Sequence, residues 1–517
     1  MPLFHAPFNF FPFQADFALA CSTNQSQFLA ADTGLGKSVI SIASACALCE
    51  ASLVDIVLVA CHSAKVGEWV SDFQSFTDLP VVAYRGSPAQ RKGLLSTLND
   101  LDSPQVLVGV YETLRNDLAH WEQTEKRKRG KKLVPGPLTK ALVDRSVLLI
   151  ADEASAKIGA SRGSQLYSST ALFAKEMNKG SGSLRSILIS ATPMERDPEG
   201  FFNLTRIFHP IGTVEQFALD HIASYDLYGN PKDFCNLSKD TTQEGKTSLH
   251  EKVKDWLLIK RKTDPDVVES FPAITQEFSY VDFSAGEASL YRYILKLVEG
   301  SESSAGAYTA LRQVCDHPIA LALSEGALAQ EIVTTFGSET LLKLGSSKMN
   351  AFLERMEMIC HRQGSQAVVF TFYGQTVLPL LHQGLVERGI TVSINHGQMS
   401  DADKDASKAS FNAGSTQVFL SSDAGAYGIN LPNAEYVEEY DFPRKFSTHI
   451  QRINRISRLS SVNPHIWANA WVTRDSLEED ILHLMLRRKG WSDAVIFDAI
   501  DNEHMAALIR EGRRRHL

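Results

Sequence analysis

The sequence predicts a parallel α/β fold: two doubly wound sheets, with helical insertions between them. Three observations predict it. A phosphate-loop pattern, Ala31-Asp32-Thr33-Gly34-Leu35-Gly36-Lys37-Ser38, stands between the apolar runs Phe28–Ala31 and Val39–Ala43. Strand-like apolar runs then alternate with helical or loop segments as far as Ser190. A second rhythm of the same kind begins near Gln366.

The phosphate loop comes first because the chemistry depends on it. A strand, a glycine turn and a helix start let backbone N–H groups wrap phosphates. Lys37 then reaches the β and γ oxygens, and the hydroxyl of Ser38 is offered to Mg²⁺. Thr33, Gly34, Leu35 and Gly36 supply the cradle. Ala31 stands where the pattern usually opens with glycine. Upstream, an aromatic-rich start ends in Phe11-Pro12-Phe13-Gln14. The Gln14 amide can donate to and accept from an adenine edge, or simply sit at the surface.

The chain of 517 residues is 44 % hydrophobic and 22 % charged, with a net charge of −8. That length holds about two or three domains. The charge leaves no general polyanion-binding surface, so any nucleic-acid surface must be local. Basic runs occur at Lys126–Lys132 and Arg513–Arg515, and read equally as such a local surface or as a solvated loop and a frayed tail. Cys46 and Cys49 form a C-x-x-C without a second pair, which reads as core packing. Seven dispersed cysteines fit a reducing, cytoplasmic setting. The start lacks a basic flank, and Asp16 interrupts its apolar stretch, so no signal peptide is expected. The longest apolar region, Val39–Cys61, is broken by Glu50 and Asp55, and no membrane association is expected.

Strand candidates of the first half are Val54–Ala60, Val81–Tyr84, Val106–Val110, Val147–Ala151 and Ile187–Ser190. Chemistry in parallel sheets collects at the carboxyl ends of strands. Cys61-His62-Ser63, Tyr111-Glu112-Thr113, Asp152-Glu153-Ala154-Ser155 and Ser190-Ala191-Thr192-Pro193 all lie there. With a phosphate loop upstream, Asp152 suits Mg²⁺, and Glu153 suits orienting or deprotonating the attacking water. Residues 200–350 read as helical, without a strand rhythm. Leu257–Lys262 is a short apolar-to-basic switch, and Leu311–Pro318 is a helix stopped by proline.

The second rhythm offers strands at Ala367–Thr371, Ile390–Ile394, Gln417–Leu420, Glu435–Tyr440 and Trp467–Val472. Helices are expected at Leu378–Arg388 and around His449–Leu459. Arg452, Arg455 and Arg458 repeat along one expected helix face, where an anion or solvent must meet them.

Taken in order, these segments resemble the superfamily 2 helicases, and within them the Swi/Snf-like DNA translocases. Phe11–Gln14 is similar to that family's adenine motif, and Ala30–Ser38 to its first motif. Tyr111–Arg115 resembles its Y-E-T-L-R segment, Asp152–Ser155 its D-E-A-H box, and Ser190–Pro193 its S/T-G/A-T-P motif. Leu311–Pro318 is very like its L-R-Q-x-C-x-H-P signature. Ser346–Lys348, Phe370–Tyr373, Ser421–Leu431 and Gln451–Arg458 continue the series. The arginine motif departs from the pattern at Asn454 and Ser457. Phe442–Ser447 replaces a tryptophan-containing segment.

The resemblance implies two RecA-like lobes with ATP and Mg²⁺ between them. Gln14, Lys37, Ser38, Asp152 and Glu153 would come from the first lobe. Gly428, Arg455 and Arg458 would come from the second. Nucleic-acid contacts would fall at His62, Ser63, Thr113, Thr371, Ser421 and Ser422. The implied domains are a lobe at 1–265 with a protrusion near 195–260, a helical protrusion at 266–345, a second lobe at 346–490 and a tail at 491–517. The implied activity is a DNA-stimulated ATPase moving on duplex DNA. A helicase or annealing motor on forks, R-loops or RNA, and a nucleotide-gated clamp with little turnover, are the alternatives. Little chain lies outside the motor, which suits a bacterium or bacteriophage. Its partners there would be replication or recombination proteins or RNA polymerase.

Overall fold

The computed structural model describes residues 3–5, 9–98, 103–123, 131–159, 164–194, 197–209, 211–227, 229–298, 304–423, 429–443 and 446–497. The described residues divide into two compact units, one within Met1–Val268 together with residues 487–497 and one within Glu269–Leu486. Each is built on its own parallel sheet.

The first unit holds strands β1 Ser26–Ala31, β2 Ile56–Cys61, β3 Val81–Tyr84, β4 Gln105–Val110, β5 Ser146–Asp152, β6 Ser183–Ser190 and β7 Leu257–Lys260. Their order across the sheet is β7-β1-β6-β5-β2-β4-β3, every pair parallel. The central strands are nearly continuous apolar runs buried on both faces, as helix-covered parallel sheets require. Phe28 on β1 meets Trp256 edge-on at 5.3 Å and anchors the core beside the phosphate loop.

The second unit holds β8 Ala273–Val281, β9 Ala367–Thr371, β10 Val392–Asn395, β11 Val418–Ser422, β12 Tyr436–Glu439 and β13 His465–Thr473. Their order is β8-β13-β12-β9-β11-β10, again all parallel. Phe352, Tyr440 and Trp471 pack edge to face at its centre.

Three readings are corrected. Leu257–Lys260 is not a bare switch in composition. It is an edge strand, with Phe28 opposite Leu257 and Ala31 opposite Lys260. The stretch 200–350 also contains β8 and a small antiparallel hairpin, Ile222–Tyr225 with Pro231–Phe234. The arginine-bearing helix runs Phe446–Ile453, so Arg455 and Arg458 lie beyond its end and share no helix face with Arg452. Among the described residues, no helix is long and apolar enough to cross a membrane.

Candidate active site

The loop after β1 turns through two left-handed glycines, Gly34 at φ 95° and Gly36 at φ 75°. L-residues rarely adopt that conformation. Gly36 caps the helix Lys37–Glu50, and no side chain caps that end. Its first N–H groups therefore face the loop mouth, the geometry that receives phosphate oxygens. Gln14 buttresses the turn from behind. It is buried, accepts from the Phe11 amide at 2.9 Å and donates to the Leu35 carbonyl at 3.1 Å. A Cβ on Gly36 would stand 2.8 Å from the Gln14 amide nitrogen.

Lys37 folds back over the loop and donates to the carbonyls of Ala31 at 2.7 Å and Asp32 at 3.2 Å. Burial pushes its ammonium below the ordinary lysine value, against the pull of Glu153 and Asp152. Asp32 is held by β7. Its amide donates to the Lys260 carbonyl at 2.9 Å, and its carboxylate accepts from the Lys262 amide at 2.8 Å. The edge strand that composition hides is thus what fixes one wall of the loop.

Between β1 and β5 lies only β6, so loop and acids occupy one rim of the sheet. Asp152 ends β5 and is nearly enclosed. Its Oδ2 accepts from Lys65 Nζ at 3.0 Å and from Trp69 Nε1 at 3.2 Å, while Tyr111 donates to its carbonyl at 2.7 Å. Burial opposes the charge on Lys65, but Asp152 and Glu153 outweigh it and raise its pKa. Glu153 sits at φ 53°, left-handed for a non-glycine residue. Such strain is characteristic of residues held for chemistry. The Ser190 hydroxyl at the end of β6 donates to Glu153 Oε2 at 3.4 Å, and Ser155 donates to the Pro193 carbonyl at 2.7 Å. The segments Asp152–Ser155 and Ser190–Pro193 are thereby tied together.

His62 and Ser63 follow β2, where the His62 ring accepts from the Ala64 amide and caps the short turn Ser63–Lys65. Burial lowers the His62 pKa, with Lys157 adding to the effect. Thr113 is half-buried in the first turn of the helix Tyr111–Leu118. In the second unit, Thr371, Ser421 and Ser422 are buried. Thr371 donates its hydroxyl to Asp441 at 2.6 Å, and Ser421 donates to the Ser422 carbonyl at 3.0 Å. Gly428 lies outside the described residues.

Arg452 is enclosed by acids. Its Nε donates to Asp423 at 2.9 Å, and its Nη1 to Glu439 at 3.2 Å and to the Asp441 carbonyl at 2.8 Å. Arg458 is bound to carbonyls of its own unit, Asn454 at 3.2 Å and Ile429 at 3.4 Å. The Arg455 carbonyl accepts from the Leu431 amide at 3.1 Å.

The segment Leu311–Pro318 is structural in this fold. Arg312, fully buried, donates to the Phe442 carbonyl at 2.6 Å with Asp441 at 3.8 Å. Asp316 accepts from Lys348 at 2.9 Å, and Lys348 also donates to Glu478 at 2.7 Å. Ser346–Lys348 and Leu311–Pro318 are therefore two halves of one buried ion network. Partners this far apart in the chain leave no mark in local spacing, and neither do Lys65, Trp69 and Lys262.

The residues of the first rim suit a nucleoside triphosphate with Mg²⁺. The uncapped helix start and left-handed glycines fit phosphates, and a carboxylate stands two strands away. Among the described residues no group of three or more His, Cys, Asp or Glu could hold a metal alone. Asp152 and Ser38 would therefore hold Mg²⁺ only with phosphate oxygens and water completing its shell.

Known proteins share both the sequence pattern and the fold. Residues 14–320 match the SNF2-related domain, and residues 347–460 match the Helicase conserved C-terminal domain. The chain is 24 % identical over 510 residues to the CHD3-type chromatin-remodeling factor PICKLE of Arabidopsis thaliana, covering 94 % of this chain and 34 % of that protein. It is 25 % identical over 327 residues to the putative ATP-dependent helicase/translocase YwqA of Bacillus subtilis, covering 60 % of this chain and 32 % of that protein. The chain thus spans about a third of the length of these curated relatives. The Hef helicase domain of Pyrococcus furiosus shares the fold, with TM-score 0.53 at 15 % identity, over 91 % of this chain and 97 % of that one.

Proposed function

The chain belongs to the SNF2-related domain family, and on that premise we propose that it is an ATP-dependent motor that couples hydrolysis to movement along duplex DNA. The observation that carries this reading is the rim of the first sheet. There an uncapped phosphate cradle, a left-handed Glu153 and an enclosed Asp152 stand at the ends of near-neighbouring strands. In this reading the loop amides and Lys37 bind the triphosphate, and Gln14 positions the loop against the base. Ser38 and Asp152 hold Mg²⁺, which when bound neutralises phosphate charge. Glu153 orients water and takes its proton. Arg455 and Arg458 supply positive charge to the γ-phosphoryl group. His62, Ser63 and Thr113 contact the DNA backbone, which permits movement without sequence reading.

The test is steady-state ATP turnover at one fixed salt with no nucleic acid, duplex DNA, single-stranded DNA or RNA, using Lys37→Ala as the blank. Stimulation by duplex DNA that grows with its length is expected. Stimulation confined to single strands or RNA would replace the translocase with a helicase. Turnover no greater than the blank on every substrate would leave a nucleotide-gated clamp.

A further inference from the structure

The segment Phe370–Tyr373 takes no part in the nucleotide site. It closes β9, which lies inside the second sheet between β12 and β11. Parallel sheets meet their ligands at the carboxyl ends of such strands. The hydroxyls expected to serve there are taken up inside the fold. Thr371, Ser421 and Ser422 are buried. Thr371 spends its one hydroxyl proton on Asp441, and Ser421 spends its own on the Ser422 carbonyl. What this strand end offers to solvent instead is the ring of Phe372, which is 50 % exposed. Gln375, in the turn that follows, is exposed as well.

Single exposed apolar side chains are ordinary on protein surfaces. Phe372 differs from them in how firmly it is held. Its amide donates to both carboxylate oxygens of Asp441, at 2.9 Å and 2.7 Å, and its carbonyl accepts from the Gly374 amide at 3.2 Å. The Tyr373 amide donates to the Thr371 hydroxyl oxygen at 3.2 Å. The Tyr373 carbonyl accepts from the amides of Val377 and Leu378, each at 3.0 Å. A Cβ on Gly374 would stand 3.1 Å from the Ser422 Cβ, so the loop packs down on β11. The rings of Phe372 and Tyr373 meet edge to face at 5.1 Å. The Arg312 guanidinium lies 5.9 Å from the Phe372 ring centre and 5.6 Å from that of Tyr373. Arg312 is fully buried and anchored on the Phe442 carbonyl, so this cation is fixed and steadies both rings.

We propose that Phe372 is a stacking platform for an unpaired base of DNA, with the Gln375 amide available to the base edge. Every base has a π face, so an aromatic ring can take one without reading sequence. The glutamine amide both donates and accepts. In an intact duplex the base faces are covered by their neighbours. The ring therefore acts only where a base leaves the stack, at a gap, a fork or a strand end. The proposal rests on the reading of the chain as a DNA motor, and it narrows the substrate to duplex DNA that carries such a discontinuity.

The experiment uses the full chain with two labelled DNAs, an intact duplex and the same duplex with a short single-stranded gap. Affinity is measured by anisotropy across a salt series for the wild type, Phe372→Ala, Phe372→Leu and Phe372→Trp, and DNA-stimulated ATP turnover is measured alongside. The wild type should bind the gapped duplex about tenfold more tightly than the intact one. Alanine and leucine should abolish that preference, and tryptophan should keep it. Stacking releases no counterions, so the alanine variant should lose the same factor at every salt and leave the log–log slope unchanged. All three variants should unfold cooperatively near the wild-type midpoint. An undiminished gap preference in Phe372→Ala would overturn the proposal. So would a preference kept by Phe372→Leu, which would mean apolar contact without stacking, or an equal loss on both DNAs. A wild type that binds neither DNA would overturn both the platform and the motor. Turnover stimulated by intact duplex, with no preference for the gap, would overturn the platform alone. A gap preference that vanishes in Phe372→Ala, with turnover that neither DNA stimulates, would overturn the motor alone.

Discussion

Gly36 shows how little freedom the nucleotide loop has. It is left-handed, and its missing Cβ leaves the space that the Gln14 amide occupies. Gly36→Ala should therefore push Gln14 off the Leu35 carbonyl, cost about 1–2 kcal/mol of stability and weaken ATP binding more than tenfold; thermal unfolding and nucleotide titration check both. Lys65 gives a different prediction. It donates to the Asp152 oxygen that Mg²⁺ would share, and its side chain is 36 % exposed. Lys65→Met should lower the Mg²⁺ concentration needed for half-maximal turnover several-fold. Loss of turnover at every Mg²⁺ concentration would show instead that Lys65 positions Asp152. Lys37, Ser38, Asp152 and Glu153 were legible because their chemistry sits in contiguous motifs. Lys65 and Trp69 were not, because they reach Asp152 from the segment after the neighbouring strand β2, more than eighty residues away in the chain. The left-handed backbone of Glu153 has no sequence signal, since the residue is not glycine.

The elements tell a similar story with a different cause. Central strands such as β2, Ile56–Cys61, are buried at every residue and announce themselves as apolar runs. Two of the four edge strands do not: β8 is exposed or only partly buried along its length, so its sequence Ala-Ile-Thr-Gln-Glu-Phe-Ser-Tyr-Val carries no such run. β7 is masked by the basic residues that follow it. The proline-stopped helix end at Leu311–Pro318 was legible as an element, but its binding to Lys348 and Glu478 was not. At that helix end, His317 accepts from the Ile319 amide at 3.2 Å, and burial lowers its pKa from 6.5 to about 4. Above pH 6.5 both folded and unfolded forms are neutral. As pH falls from 6.5 toward 4 the unfolded chain takes up the proton and the folded chain does not, so stability is lost on acidification. His317→Asn keeps a side-chain acceptor for the amide without a titrating ring. Between pH 7 and pH 5 the wild type should lose about 2 kcal/mol more than the variant. Urea unfolding of both proteins at the two pH values measures the difference, and parallel losses would remove His317 from the acid response.

At the scale of the whole molecule, each unit has a complete parallel sheet and its own core, so neither depends on the other to close a sheet. The phosphate cradle belongs entirely to the first unit. Arg455 and Arg458 belong to the second. A motor requires hydrolysis on one unit to depend on residues of the other, because only then does turnover report a change in their arrangement. Arg458 is a poor test of that dependence, since its guanidinium also serves the Asn454 and Ile429 carbonyls and its removal would disturb the second unit itself. Arg455→Lys is the cleaner one: it keeps the positive charge and loses the guanidinium fork that matches a phosphoryl group. Turnover should fall by about 10³-fold, within the range an arginine supplied to a transferring phosphoryl group contributes. ATP affinity, set by Lys37 and the loop amides of the first unit, should stay within a few-fold of the wild type. Turnover and nucleotide titration on the same preparation separate the outcomes. Loss of both together would mean that Arg455 supports binding rather than hydrolysis. Retention of both would mean that the first unit hydrolyses ATP unaided, and the coupling on which a translocase depends would have to arise elsewhere in the second unit.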